Sequence, residues 1–218
     1  MVLPTPQPAT DRRVRRTRSA LMSAAVALVA ERGTTAVALS DIAEAADVSR
    51  RVVYQHFGDR DTLLLEAGLD LARRELLPAL TDEAPVASRE RALPVARHFA
   101  QHRAFYRALL TGSCAFALDR GLLRLILPVN RHGLQTVHGD RLTARAVEDL
   151  ATFVTGGVGA LVTSWVVDGP DPLDPEEFTD RLLAATSVMM TALNERIVDE
   201  HPEPDHPAAP ATASADHP

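Results

Sequence analysis

"DIAEAADVSRRVVYQHF", Asp41–Phe57, places two arginines, a tyrosine, a glutamine and a histidine within seven residues of a chain whose net charge is −6. Two short helical patterns meet in it at Ala-Asp-Val, residues 46–48. Ser40 is placed to N-cap the first, with Ile42 as its anchor and Ala43 small enough for close packing. Ser49 is placed to cap the second. Stepping 100° per residue from Ser49 puts Val53 and Phe57 on one face, able to pack on Ile42, Ala46 and Val48. The opposite face is centred on Arg51 and Gln55 and flanked by Val52 and Tyr54. Arginine can donate two hydrogen bonds to guanine, glutamine can pair with the adenine edge, and valine can touch a thymine methyl. Tyr54 and His56 stand at the sides, within reach of phosphates. The competing reading is a solvated polar helix face. Paired short helices, capping serines and the basic stretch before them favour reading DNA.

The positive charge is all arginine and lies unevenly. Residues 1–60 hold nine arginines against six acids, a balance of +3, whereas residues 61–218 hold fourteen against twenty-three, or −9. A basic quarter on an acidic body is the asymmetry expected when one part meets a polyanion. Aromatic residues make up only 4% of the chain, so its core must rest on Leu, Val and Ala. With strong helix formers abundant and no long Val/Ile/Thr alternation, the expected fold class is all-α. The single cysteine, Cys114, excludes an intrachain disulfide and fits a reducing, cytoplasmic setting. No signal peptide is visible at the start.

Punctuation divides the chain into expected helices. Residues 1–10 read as a disordered arm. Asp11 to Arg32 is a helix with Val14, Leu21, Ala25 and Leu28 near one face, stopped at Gly33. Gly58 or Asp59 opens a helix running through Leu76 and ending near Pro78. One helical pattern spans Ser88 to Leu110. Another, from Ala115 to Val137, is interrupted or kinked at Pro128. Arg141–Val167 and Pro175–Asp199 are two long helices, and the tail from His201 to Pro218 reads as disordered.

The run "LSDIAEAADVSRRVVYQHFGDRDTLL", residues 39–64, resembles the DNA-binding signature of the TetR (tetracycline repressor-like) family. "DIAEAA", "VS" and "YQHF", followed by an acidic-basic pair and Leu-Leu, are specific in combination, and the likeness extends from about Arg13 to Leu64. It implies that the helix after Ser49 is the recognition helix. It implies too that Arg60, where the family favours lysine, and Ser40, where threonine is frequent, contact phosphate. The expected DNA-binding set is therefore Ser40, Ser49, Arg50, Arg51, Val52, Tyr54, Gln55, His56 and Arg60. Two positions depart from the pattern. Asp47 stands where the family usually has glycine, so a left-handed turn is expected at a residue that tolerates it at some cost. Arg51 replaces a small residue, which puts any borrowed operator sequence in doubt. The implied domains are an N-terminal three-helix DNA-binding domain at 11–58 and a larger helical effector-binding and dimerisation domain at 59–200.

"ATFVTGGVGALVTSWVV", Ala151–Val167, carries no charge over seventeen residues, short of the roughly twenty that a membrane span needs. Gly156 and Ala160, four apart, suit a buried helix interface. With Met189, Met190 and Leu193 on the following helix, this pair resembles the family's dimerisation helices, which implies a four-helix bundle between two subunits and no membrane role. Phe99, His102, Tyr106, Phe116 and Trp165 are candidate walls of an effector pocket, although a Leu-rich core could equally hold them. His102 falls in the apolar stripe of Val95, Phe99, Tyr106 and Leu109. It reads either as a histidine bonded to a carbonyl or acid, or as a residue that meets ligand. His98 and His102 have metal-ligand spacing on a helix, but the sequence brings no acid or cysteine demonstrably near, so neither metal nor cofactor is expected.

The expected function is a ligand-responsive transcriptional regulator, most simply a repressor. It would bind a palindromic double-stranded operator as a homodimer and be released by a small hydrophobic effector. The alternatives are a helical protein-interaction module, its arginine face on an acidic partner, and a small enzyme. "GSCAF", residues 112–116, lacks the G-x-S-x-G elbow, and Cys114 reads more readily as a small buried residue than as a nucleophile. No catalytic residue is assigned.

Overall fold

A computed structural model describes residues 8–80, 85–138 and 141–200. Among them are nine α-helices and no strand: α1 Pro8–Arg32, α2 Leu39–Ala45, α3 Arg50–Phe57, α4 Arg60–Leu71, α5 Arg89–Gln101, α6 Arg103–Leu110, α7 Ala115–His138, α8 Ala144–Asp168 and α9 Pro175–Glu200. Helix begins at Pro8, inside the arm expected over residues 1–10, at a position where a missing N–H costs nothing. The rest of that arm and the tail from 201 lie outside the described residues.

Within α1, Leu21, Ala25 and Val29 are buried, and Gly33 at φ 63° accepts the left-handed turn that ends it. Val14, expected on the inner face, is 39% exposed and borders an open concavity shared with α3. The helices α1, α2 and α3 form a small triangle on which α4 and α6 also pack. Leu63 and Leu64 of α4 belong to the same buried cluster as Leu21, Ile42 and Val53, so the core runs without a gap across residue 58.

The segment after α4 departs from a plain helix. A π-helical turn, Ala72–Leu76, and a 3₁₀ turn, Leu77–Ala79, carry the chain to the loop ahead of α5. The single helix expected over 88–110 is two, because the backbone leaves helical geometry at His102 (φ −105°, ψ 22°) and restarts as α6. Pro128, expected to interrupt or kink its helix, sits inside an α7 that is helical on both sides of it.

Long helices α7, α8 and α9 complete the body, with α7 against α8 and α9 against α5. Trp165 of α8 stacks on Phe178 of α9, rings parallel within 2° and centroids 4.0 Å apart. Arg103 ties α6 to the end of α8 by donating to the carbonyls of Val166, Gly169 and Pro170. By length and composition alone α8 could cross a membrane. Its inner side is buried in the bundle through Val147, Ala151, Val154, Val162 and Val166, as in a core helix.

Candidate nucleic-acid interface and the sites in the body

The turn between α2 and α3 is built at Asp47, whose φ is 52°. Val48 N–H donates to Ala43 O and Asp47 N–H to Glu44 O, each at 3.0 Å. These are the paired bonds of a Schellman stop, whose left-handed residue is usually glycine; here aspartate occupies it. Ser49 is the N-cap of α3 in extended geometry, although its hydroxyl makes no capping bond. Ser40, in contrast, is not a cap. Helix α2 begins one residue earlier with Ala38 in the cap position, and the exposed Ser40 hydroxyl donates to Asp41 Oδ1 at 3.2 Å. Arg32 holds Asp41 from the end of α1 at 2.6 Å and keeps its carboxyl below the usual range.

Helix α3 divides cleanly. Val53 and Phe57 are buried, with Ile42, Ala46 and Val48 in the same cluster, while Arg50, Arg51, Tyr54 and Gln55 are exposed. Val52 and His56 are half-buried along the flanks. Arg50 donates to the Tyr54 hydroxyl at 3.1 Å one turn on, so these two share one side of the helix. Arg13 and Val14 of α1 face Val52, Gln55 and His56 across a shallow open concavity. Gly58, at φ 78°, ends α3, and Asp59 then caps α4 by accepting the Thr62 N–H at 2.7 Å. That bond lowers the Asp59 carboxyl and places Arg60 in the first turn of α4. Arg60 is half-exposed and its Nε rests on Asp61 Oδ1 at 3.2 Å, a contact it must exchange to reach a phosphate.

One residue important to this geometry escaped the sequence reading. Arg18 donates to the His56 carbonyl at 2.7 Å, lies 4.4 Å over the Phe57 ring and pairs with Glu66 of α4. It therefore supports the last turn of α3 from behind. In sequence it is one arginine of a basic run, and its spacing of 38 residues from His56 gives no local signal.

In the body, the expected pocket walls do not enclose a cavity together. Phe116 is 77% exposed, since it follows directly on the turn that opens α7 and points away from the bundle. Trp165 is taken up by its stack with Phe178, and Phe99 and Tyr106 are packed in the core. A small cavity open to solvent lies elsewhere, among α5, α7, α8 and α9. Val95, Ile126, Val158 and Leu182 supply its apolar lining, and Ser88, Arg91 and Asn130 its polar groups. Arg91 is buried, and Asn130 donates to Thr155 Oγ1 at 3.0 Å.

His102, at the break between α5 and α6, is half-buried and bonded to an acid, the first of its two sequence readings. Its Nε2 lies 2.7 Å from Glu75 Oε2. His98 is the buried histidine, with Nε2 2.9 Å from the Tyr106 hydroxyl. Burial, with His102 nearby, pushes His98 down to about 4, so its ring is neutral at neutral pH. The acid that the sequence leaves out of sight beside His98 and His102 is thus Glu75. Cys114 is buried with its thiol directed at the Asp61 carbonyl, and burial, aided by the Asp61 charge, pushes the thiol up. A thiol held protonated is a poor nucleophile.

The outer side of α8 and α9 is apolar and uncovered. Phe153 is 68% and Val188 73% exposed, and a Cβ added at Gly156, Gly157 or Gly159 would meet nothing within 4 Å. Gly156 is half-buried and Ala160 exposed on this side. The side chains of Met189, Met190 and Leu193 lie outside the described residues.

A profile for bacterial regulatory proteins of the tetR family matches residues 21–67. The HTH-type transcriptional repressor Rv3405c of Mycobacterium tuberculosis (strain ATCC 25618 / H37Rv) is 42% identical over 113 residues, covering 50% of this chain and 57% of that protein. The HTH-type transcriptional regulator BetI of Rhizobium meliloti (strain 1021) is 36% identical over 91 residues, 42% of each chain. The matches thus span about half the length of these curated relatives, 57% of one and 42% of the other. A TetR-family transcriptional regulator from Rhodococcus sp. superposes with a TM-score of 0.57 at 22% identity, over 80% of this chain and 98% of that one. The TetR family repressor AlkX from Dietzia sp. strain DQ12-45-1b does so at 0.55 and 21%, over 79% and 97%. At these identities the likeness is one of fold. Signature, arrangement of α1–α4 and fold of the helical body all resemble bacterial regulatory proteins of the tetR family, whose profile matches the DNA-binding segment at residues 21–67.

Proposed function

We propose that the protein is a ligand-responsive transcriptional repressor, acting in the cytoplasm as a homodimer on a palindromic operator. The observation that carries this reading is the division of α3. Its apolar face is locked into the core by Val53 and Phe57, and Arg51 and Gln55 stand exposed on the other side. Arg51, Val52 and Gln55 read base edges. Ser40, Ser49, Arg50, Tyr54, His56 and Arg60 fix the docking on phosphates. The acidic body does not oppose this, because salt screens charges beyond roughly 8–10 Å and only the field near the groove acts on DNA. In the division of labour proposed here, residues 11–58 read DNA and residues 59–200 bind effector and partner.

The exposed apolar side of α8 and α9 supports pairing with a second copy, Gly156 and Ala160 allowing close approach. Two α3 helices about one DNA turn apart would then face two half-sites. The cavity among α5, α7, α8 and α9, mainly apolar in lining, is where a small hydrophobic molecule would bind. Such a molecule releases DNA only if it binds one spacing of the two α3 helices better than the other. Relatives named as transcriptional regulators or repressors favour this reading.

The test is duplex binding by fluorescence anisotropy across a salt series. Contacts to phosphates release counterions, so affinity is expected to fall steeply as salt rises. Affinity independent of salt would contradict docking on the backbone.

A further inference from the structure

Glu75, His98 and His102 converge from three places: the π-helical turn after α4, the inner side of α5, and the α5–α6 junction. Glu75 Oε2 lies 2.7 Å from His102 Nε2 and 3.4 Å from His98 Nδ1. The bonds behind His98 decide which nitrogen carries its proton. The buried Tyr106 hydroxyl has one hydrogen, donated to the Gly68 carbonyl at 3.2 Å. With that hydrogen given to Gly68, His98 Nε2 donates the 2.9 Å bond to Tyr106 and Nδ1 keeps its lone pair; in the other tautomer Nδ1–H would point at Glu75. The His98 side chain is only 4% exposed, and its Nδ1 has no hydrogen-bond partner. Its neighbour at 3.4 Å is a carboxylate oxygen, another acceptor. A buried acceptor without a partner is uncommon and needs an explanation.

We propose that Glu75, His98 and His102 form a binding site for one first-row divalent transition-metal ion, of which Zn²⁺ is the type. A cation between the three residues satisfies the His98 lone pair and the carboxylate together. Two imidazoles and one carboxylate are donors that suit Zn²⁺ and its neighbours and do not suit Mg²⁺ or Ca²⁺, which take oxygen ligands. Donors 2.0–2.2 Å from a tetrahedral ion stand about 3.3–3.6 Å apart. The His98–Glu75 contact is already there, the His102–Glu75 contact must open by about 0.6–0.9 Å as the ion replaces a proton, and all the donor atoms lie within 4.8 Å of one another. Tyr106 is a positioning residue: its bond to Nε2 fixes the ring and presents Nδ1, as partners behind metal-bound histidines do. Three protein donors leave a coordination position open for water or a small molecule. The ion would tie the end of α4 to the start of α6. The proposal rests on the body's geometry alone and is independent of the DNA-binding reading.

The test uses the untagged full chain, stripped with chelator, then titrated with Zn²⁺ against a chromophoric chelator and with Co²⁺ by visible absorption. One Zn²⁺ per chain is expected, with Co²⁺ giving the d–d bands of low coordination and Mg²⁺ not competing. His98→Ala risks the fold, because His98 is buried, so the decisive variants are Glu75→Gln and His102→Ala at the more open side. Each should weaken Zn²⁺ binding by more than the roughly 10–100-fold expected for Tyr106→Phe. Helical content by circular dichroism should be unchanged in all three. The proposal is overturned if the native chain takes up no Zn²⁺. It is equally overturned if Glu75→Gln and His102→Ala, still folded, bind as the native chain does. Loss of binding on changing His201 and His206 to alanine would place the ion in the tail and overturn it too.

Discussion

Arg18→Ala should destabilise the protein well beyond what a surface arginine would. Its guanidinium donates to the His56 carbonyl at 2.7 Å in the last turn of α3, a charge-assisted bond worth about 1.5–3 kcal/mol when half-buried. Its position 4.4 Å over Phe57 adds about 0.5–1 kcal/mol. The pair with Glu66 adds at most about 1 kcal/mol, because the two side chains are 30% and 39% exposed and water screens them. These contributions overlap, and water takes over part of the carbonyl bond, so the expected net loss is about 2–3 kcal/mol. For a chain of this length that is a fall of about 5–10 °C in Tm. Arg18→Lys keeps a cation but not the fork that reaches two acceptors at once, and should lose about half as much. Urea denaturation at fixed protein concentration measures it, which keeps any concentration-dependent self-association the same for both proteins. A loss under about 0.5 kcal/mol, ordinary for a surface site, would refute the idea that Arg18 braces α3.

Four further outcomes follow. Gln55→Ala should cost roughly 1–3 kcal/mol at its base pair and relax preference there, read by binding to single-base operator variants. Arg60→Ala should weaken all sequences alike and reduce the salt slope by about 1; equal losses for both variants on every operator would contradict the assigned division of labour. Asp47→Val should cost about 1–2 kcal/mol in denaturant, because a β-branched side chain is strained at φ 52°, whereas Asp47→Gly should be neutral or stabilising. Trp165, the single tryptophan, is buried on Phe178, so its emission should be blue-shifted in the folded protein and move red on unfolding; Trp165→Ala should cost about 3–5 kcal/mol.

What the sequence made legible was local. The faces of α3 follow from 100° per residue, and Val53 and Phe57 are buried where that spacing puts them. Asp47 was readable because the α2–α3 turn needs a left-handed residue and nothing better suited stands in it. The cap of α2 was misplaced by two residues, since Ser40 is a good cap in isolation but Ala38 is where the backbone enters the helix. Contacts across the fold were out of reach. Nothing near Glu75 announces that an irregular turn will carry it to His102, 27 residues on. The stripe that placed His102 inward assumed an unbroken helix; at the break that residue is half-buried, and His98 is the buried histidine. Apolar character makes Phe116 a candidate wall, but it does not distinguish a pocket residue from an exposed one.

The central claim is that α3 reads a two-fold operator. Sheared genomic DNA captured on the full-length protein and sequenced tests it most directly. An enriched palindrome whose half-sites are about one DNA turn apart is expected, lost on Arg51→Ala together with Gln55→Ala. Capture without an enriched palindrome, or a palindrome indifferent to those two substitutions, would contradict it.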